Sequence, residues 1–361
     1  MKRFRQYRTT QAVRDQWADV PELTPQDFIY PYFVVDGKGV KQEIGSMKEV
    51  YHFSIDTLLE DIAQLLTLGI DKVLLFGVIP QEEKDERGSL AYSPDSIVAR
   101  AVRTIKEALP QVTVFTDVCL CGYTSHGHCG LLAPLQLPPS GGETLAGRGV
   151  TSASTDGGTL PLQGGEGGGL IVLNDTTLPL LAEMAYQHAL AGADWVAPSA
   201  MMDGQVEAIR QRLDSDERTR HTRIMGYSAK YASAYYGPFR DAAHSAPSFG
   251  DRRSYQMDYR TRNQGLEEIE ADINEGADWV MVKPAMAYLD IIQRATDRFT
   301  KHPMVAYQVS GEYSMLLNAA KEGLFDEWNI FHESLTAIRR AGAQYIISYY
   351  AKRYALLTNQ H

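Results

Sequence analysis

The chain has few cysteines, no long apolar run and no excess of positive charge. Only three cysteines occur in 361 residues. In a chain whose N-terminus, MKRFRQYRTTQAVRDQW, has cations but no apolar stretch behind them, so few cysteines argue against a disulfide scaffold. Asp15 and Asp19 come early and serine is absent there, so a transit peptide is also disfavoured and a cytoplasmic location is expected. No apolar run approaches the roughly 18 residues of a membrane helix. Lys and Arg number 35 against 45 Asp and Glu, a formal net charge of −10 that excludes nucleic acid or an anionic membrane as the main expected partner. No GxGxxG follows the first β-like segment and no GxxxxGK[ST] occurs, which disfavours the usual nucleotide-binding sheets. What is present is ordinary globular material: 44% hydrophobic and 22% charged residues, enough to bury a core without staples.

Four times a helix-like stretch ends in glycine and runs into an apolar, β-rich segment: LTLGIDKVLLFGV, ALAGADWVAPSA, INEGADWVMVKPA and RRAGAQYIISYYA. Glycine there fits a helix C-cap, and the run after it is apolar on both faces, as a buried parallel strand is. Eight strands are expected: 28–35, 72–78, 112–119, 195–200, 223–230, 279–285, 304–310 and 345–351. Amphipathic segments such as Ser54–Leu68, with Ile55, Leu58, Leu59, Ile62, Leu65 and Leu66 at helical spacing, separate most of them. This pattern predicts the α/β class and a (β/α)8 TIM barrel, with an open doubly wound sheet as the alternative. Residues 1–27 read as an N-terminal arm and 28–361 as the barrel. Residues 133–169 are dominated by Gly, Pro, Ser and Thr and read as a flexible insertion. Its GGEGGG lacks the Lys-Ser/Thr of a phosphate cradle and reads as linker.

All three cysteines fall within eleven residues, Cys119, Cys121 and Cys129. Three thiolates suit zinc and leave one tetrahedral position open, whereas His126 or His128 as a fourth ligand would make the site structural. Lys230 and Lys283 end adjacent expected strands, at the face where barrel active sites lie. Two ammonium groups close together in apolar surroundings depress each other's charge, which frees an amine to attack a carbonyl. The segment between these strands carries Arg240, Arg252 and Arg253 with Tyr235, Tyr236 and Phe239. It reads as a lid whose guanidinium groups would take a carboxylate. Asp117, Ser199 and Ser310 lie at other strand ends, and Tyr349 lies in the last strand.

With these residues in place, the chain resembles the porphobilinogen synthase (δ-aminolevulinate dehydratase) family, zinc-dependent branch. The segments that carry the resemblance are TDVCLCGYTSHGHCGLL, GADWVAPSAMMDGQVEAIR, IMGYSAKYASAYYGPFRDAA, DRRSYQMD, EGADWVMVKPAMAYLDII, AYQVSGEYSM and IISYYA. They occur in family order and span nearly the whole chain outside 133–169. The resemblance implies condensation of two 5-aminolevulinate molecules into porphobilinogen, with loss of two waters, in tetrapyrrole (heme) synthesis. It implies Schiff bases on Lys283 for the propionate-side substrate and on Lys230 for the acetate-side one. Ser310 and Tyr349 would hold the first carboxylate, and Arg240, Arg252 and Gln256 the second, with Tyr236 and Phe239 closing over the ring. Asp117 and Ser199 would serve polar and proton-transfer roles. Cys119, Cys121 and Cys129 would bind zinc, Glu268 would hold an allosteric magnesium ion, and the assembly would be a homo-octamer. Rival readings are an aldolase-like barrel with one lysine and no metal, a hydrolase with a metal-activated water, and a barrel scaffold silenced by the insertion.

Overall fold

The computed structural model describes residues 2–134 and 170–358. Twelve strands occur among them: β1 (Phe28–Val34), β2 (Lys41–Ile44), β3 (Met47–Phe53), β4 (Lys72–Gly77), β5 (Thr113–Val118), β6 (Leu131–Pro134), β7 (Leu170–Leu173), β8 (Trp195–Pro198), β9 (Arg223–Lys230), β10 (Trp279–Lys283), β11 (Met304–Gln308) and β12 (Tyr345–Ser348). Eight of them pair side by side in the order β1, β4, β5, β8, β9, β10, β11, β12, and β12 closes back on β1. The barrel pairings are all parallel. This is the expected (β/α)8 barrel, one structural strand for each of the eight apolar segments.

The local causes are those in the sequence. All seven residues of β1, FIYPYFV, are buried, because the strand faces helices on one side and the barrel interior on the other. The expected helix at 54–68 forms over Ile55–Thr67 and buries Leu58, Ile62 and Leu65. Gly69, Gly192, Gly276 and Gly342 take φ of +84°, +103°, +104° and +111°, the left-handed turn that passes each helix into its strand. Trp195, Trp279 and Tyr345 begin their strands and stack with centroids 4.2 and 4.3 Å apart, and Phe115 lies 5.2 Å from Trp195. These rings fill the N-terminal end of the barrel. The lysines stand at the opposite end.

Two hairpins were not expected. β2 and β3 pair antiparallel, and β3 adds to β1 through Phe33↔His52 and Val34↔Phe53. β6 and β7 pair from Leu131↔Leu173 to Pro134↔Leu170. The chain therefore enters and leaves the Gly/Pro-rich segment through neighbouring strands. The GGEGGG run lies outside the described residues. At the N-terminus, a 3-10 turn (Phe4–Arg8) and a helix (Gln11–Trp17) bury no residue in the monomer. Their Tyr7 and Trp17 rings meet edge to face at 4.5 Å.

Candidate active site

Strands β9 and β10 are in register with Lys230 opposite Lys283. Paired residues of neighbouring strands project to the same face, so the two amines enter one space, and both residues are 5% exposed. Lys230 Nζ donates to the Ser199 carbonyl oxygen at 2.5 Å. Lys283 Nζ lies among aromatic rings, 4.2 Å from the Tyr307 centroid, 5.0 Å from Tyr227, 5.2 Å from Phe239 and 5.4 Å from Tyr236. Burial, and next the neighbouring Lys230 charge, lower its pKa from 10.5 to about 7. Desolvation and a like charge both disfavour the ammonium, and a substantial fraction of neutral amine is then present at neutral pH. That is the condition a lysine nucleophile needs.

Asp117, on β5, is enclosed by protein but keeps some surface towards the interior space. Its Oδ1 has no hydrogen-bond partner. Burial, then the Cys121 sulfur, raise its pKa to about 6, while Ser199 and the two lysines pull the other way. Ser310 accepts from the Phe239 backbone N–H at 3.0 Å and contacts the Tyr235 carbonyl at 3.3 Å. The Tyr349 hydroxyl meets that of Tyr307 at 2.9 Å. The Tyr236 hydroxyl donates to the carbonyls of Tyr231 and Lys283, at 2.7 and 3.2 Å. It thereby joins the ends of β9 and β10 beneath the lid.

The segment expected to form the lid runs over residues 235–258. Arg252, 5% exposed, donates to the Gly127 carbonyl at 2.9 Å and to the Ser245 carbonyl. Arg240 Nε is buried without a partner, and burial followed by the Arg252 charge lowers its pKa. Gln256 is 3% exposed, and neither its amide oxygen nor its nitrogen has a partner. Two guanidinium groups and an unpartnered amide form a ready receptor for an anion, since buried polar groups normally find partners. Arg253, grouped with the lid arginines on sequence, is exposed and pairs with Asp251 at 3.5 Å. It does not join them.

The three cysteine sulfurs converge within 4.8 Å of one another, all buried, with Cys119 and Cys121 3.3 Å apart. Among the described residues this is the one group of ligand atoms so placed. Zinc–thiolate bonds of about 2.3 Å in a tetrahedron put sulfurs roughly 3.8 Å apart, so the donor set and spacing fit a thiophilic divalent ion. The histidines are engaged elsewhere: His128 through Tyr255 and the Phe249 carbonyl, His126 through the Glu86 carbonyl and the His128 N–H. Neither imidazole is therefore a fourth ligand in this arrangement. Hydrogen bonds from Cys119 and Cys121, and further down the nearby Arg252 charge, hold the Cys129 thiol far below its usual range.

Glu268 stands apart. It accepts from Gln264 at 3.2 Å and lines a cavity of about 380 Å³ together with Asp203, Glu267, Asp272 and Glu275. Burial raises its pKa. Sequence reasoning missed Tyr227 and Tyr307, because buried tyrosines within apolar strands read as core. Tyr227 stands three residues before Lys230 on β9 and Tyr307 lies on β11, and these two strands flank the strand of Lys283; that placement was the available signal.

Fold and site together place the chain among (β/α)8-barrel enzymes, with a buried pair of strand-end lysines in the barrel mouth. The family model for delta-aminolevulinic acid dehydratase matches residues 1–145 and 151–357, and the chain belongs to that family. It is 45% identical to the delta-aminolevulinic acid dehydratase of Bacillus subtilis, covering 97% of this chain and 96% of that one. It is 47% identical to that of Synechococcus elongatus, covering 91% and 90%. Among solved structures, it is similar to the Toxoplasma gondii enzyme in complex with the reaction product porphobilinogen. The TM-score is 0.84 and the identity 38%, over 99% of this chain and 91% of that one.

Proposed function

We propose that this protein is a hydro-lyase that condenses two 5-aminolevulinate molecules into porphobilinogen and releases two waters. The observation that carries this reading is the register pair Lys230 and Lys283, two buried amines facing one space on neighbouring strands. In each Schiff base the neutral amine would attack the substrate ketone, a C=N bond would form, and the ketone oxygen would leave as water. The resulting imine is an electron sink for deprotonation of the adjacent carbon. Lys283, with its depressed pKa, would bind the propionate-side substrate. Its carboxylate would go to Ser310 and Tyr349. Lys230 would bind the acetate-side substrate, with its carboxylate on Arg240, Arg252 and Gln256. Tyr236 and Phe239 would close over the pyrrole ring and exclude water. Asp117, poised near pH 6, would move protons beside Ser199.

Cys119, Cys121 and Cys129 would hold zinc, which when bound polarises a substrate oxygen. Glu268 would offer magnesium a carboxylate in the acidic cavity. The N-terminal arm, with Phe4 61% and Trp17 59% exposed, would pack on neighbouring copies in a homo-oligomer, an octamer by family resemblance. Porphobilinogen formation by the purified protein, with and without a zinc chelator, tests the reading. Zinc-reversible turnover supports both lysine chemistry and the cysteine assignment. Chelator-insensitive turnover discards the zinc, and no turnover with both metals supplied discards the function.

A further inference from the structure

The loop after β4 carries a buried lysine that the proposed chemistry does not use. Lys84 is 9% exposed, and its Nζ donates to the His244 carbonyl in the lid at 2.5 Å. His244 adopts φ +47°, uncommon for a residue with a Cβ. The surroundings form a triangle of three segments. The loop after β4 meets the cysteine loop where the Ser125 N–H donates to the Asp85 carbonyl at 2.8 Å. The cysteine loop meets the lid where Ser248 N–H donates to the His126 carbonyl at 3.0 Å and Arg252 reaches the Gly127 carbonyl. Lys84 to His244 closes the third side. On the lid's other flank, His52 Nε2 lies 2.6 Å from the Ala242 carbonyl, and its ring meets that of His244 at 5.6 Å.

We propose that Lys84 is a positioning residue, a latch that holds lid residues 242–252 against the loop after β4 and so keeps Arg240 and Arg252 aimed at the substrate carboxylate. The proposal rests on the reading of this segment as the substrate lid. Lys84 does not itself touch the reacting atoms. A buried charged donor lost from one conformer shifts the balance between open and closed lids, and apparent affinity falls with the closed fraction.

The test is Lys84→Met, which removes the donor and keeps the stem. KM for 5-aminolevulinate is expected to rise about tenfold, with kcat changed by less than about twofold. Hydrogen exchange at the lid amides of Ala243 and Ser245, bonded to the Phe239 and Arg240 carbonyls, is expected to accelerate by a similar factor without substrate. Lys84→Arg should restore both readouts. Unchanged KM and lid exchange would overturn the latch, as would a fall in kcat at constant KM. Should Lys84→Met not fold, acetylation of the folded wild-type protein decides: Lys84 should react at least roughly tenfold more slowly than the exposed Lys38 and Lys301, since it must wait for the lid to open. Equal rates would overturn the proposal. Lid exchange needs no turnover, so failure of the latch and failure of the proposed function are read separately.

Discussion

Replacing Lys283 by methionine should abolish turnover and yet make the folded protein more stable at neutral pH. Folding moves this ammonium from water to a site where burial and Lys230 lower its pKa from 10.5 to about 7. The sign follows from proton binding. Between pH 7 and 10.5 the unfolded state binds more protons than the folded state, so stability rises with pH across that window. The penalty is fully present below pH 7. With 1.36 kcal/mol per pKa unit, it is about 4 kcal/mol at pH 7 and about 1.5 kcal/mol at pH 9.5. The rings around Nζ, the nearest being Tyr307 at 4.2 Å, return roughly 0.5–2 kcal/mol through cation–π attraction. Desolvation therefore wins, and methionine fills a similar volume with no charge. The expected gain is about 2–3 kcal/mol at pH 7 and shrinks to about 1.5 kcal/mol at pH 9.5, where the folded-state amine is neutral and has no cation–π attraction to lose. Urea midpoints of both proteins at the two pH values measure it. A destabilised variant at pH 7, or a difference independent of pH, would show that the buried Lys283 ammonium carries no such penalty.

Other outcomes follow from the same geometry. Below pH 7, kcat/KM should fall towards tenfold per pH unit as the Lys283 amine becomes protonated, with a plateau above it; a flat profile from pH 5.5 to 8 contradicts this. Lys230→Met should move the pH midpoint of borohydride trapping at Lys283 upward, because the like charge is gone. Cys129→Ser should lower bound zinc, measured by elemental analysis after dialysis, by at least roughly tenfold, since a thiolate ligand is lost. Gln256→Leu should raise KM for 5-aminolevulinate while costing little stability, because its amide has no protein partner to lose. Gly311→Ala should destabilise by about 1–3 kcal/mol in urea unfolding, since the new Cβ would lie 2.5 Å from the Tyr235 carbonyl oxygen, a backbone atom that cannot step aside.

The barrel was legible because its strands are apolar on both faces and its helices end in glycine. Both signals are local, and both survive in the sequence. The strand at 223–230 matches β9, and the ends of the other seven were read one to three residues too long. Cys119 and Ser199 leave the ladder at the point where their side chains turn into the site. The β2–β3 hairpin was not legible. Its KQEI and MKEVYHF mix exposed and buried positions, and it is fixed by long-range contacts such as Ser46 to the Pro238 carbonyl and Tyr313 to the Lys48 carbonyl. The Lys230–Lys283 pairing could be foreseen from strand order alone. The lid arginines could not be told apart by composition and spacing, and only the family resemblance singled out Arg240 and Arg252. Arg252 and Arg253 are neighbours in sequence, but one is buried over the cysteine loop and the other is in solvent. Lys84 sits in the charged run EEKDER, which reads as a solvated face until the lid is folded over it.

In the proposed reaction Lys283 attacks the substrate ketone from a barrel interior shared with Lys230. Borohydride reduction of the protein in the presence of 5-aminolevulinate, followed by peptide mass analysis, tests it most directly. A reduced substrate adduct is expected on the peptide that carries Lys283, and it should be lost in Lys283→Met together with porphobilinogen formation. Turnover that survives in Lys283→Met, or an adduct confined to other lysines, would contradict it.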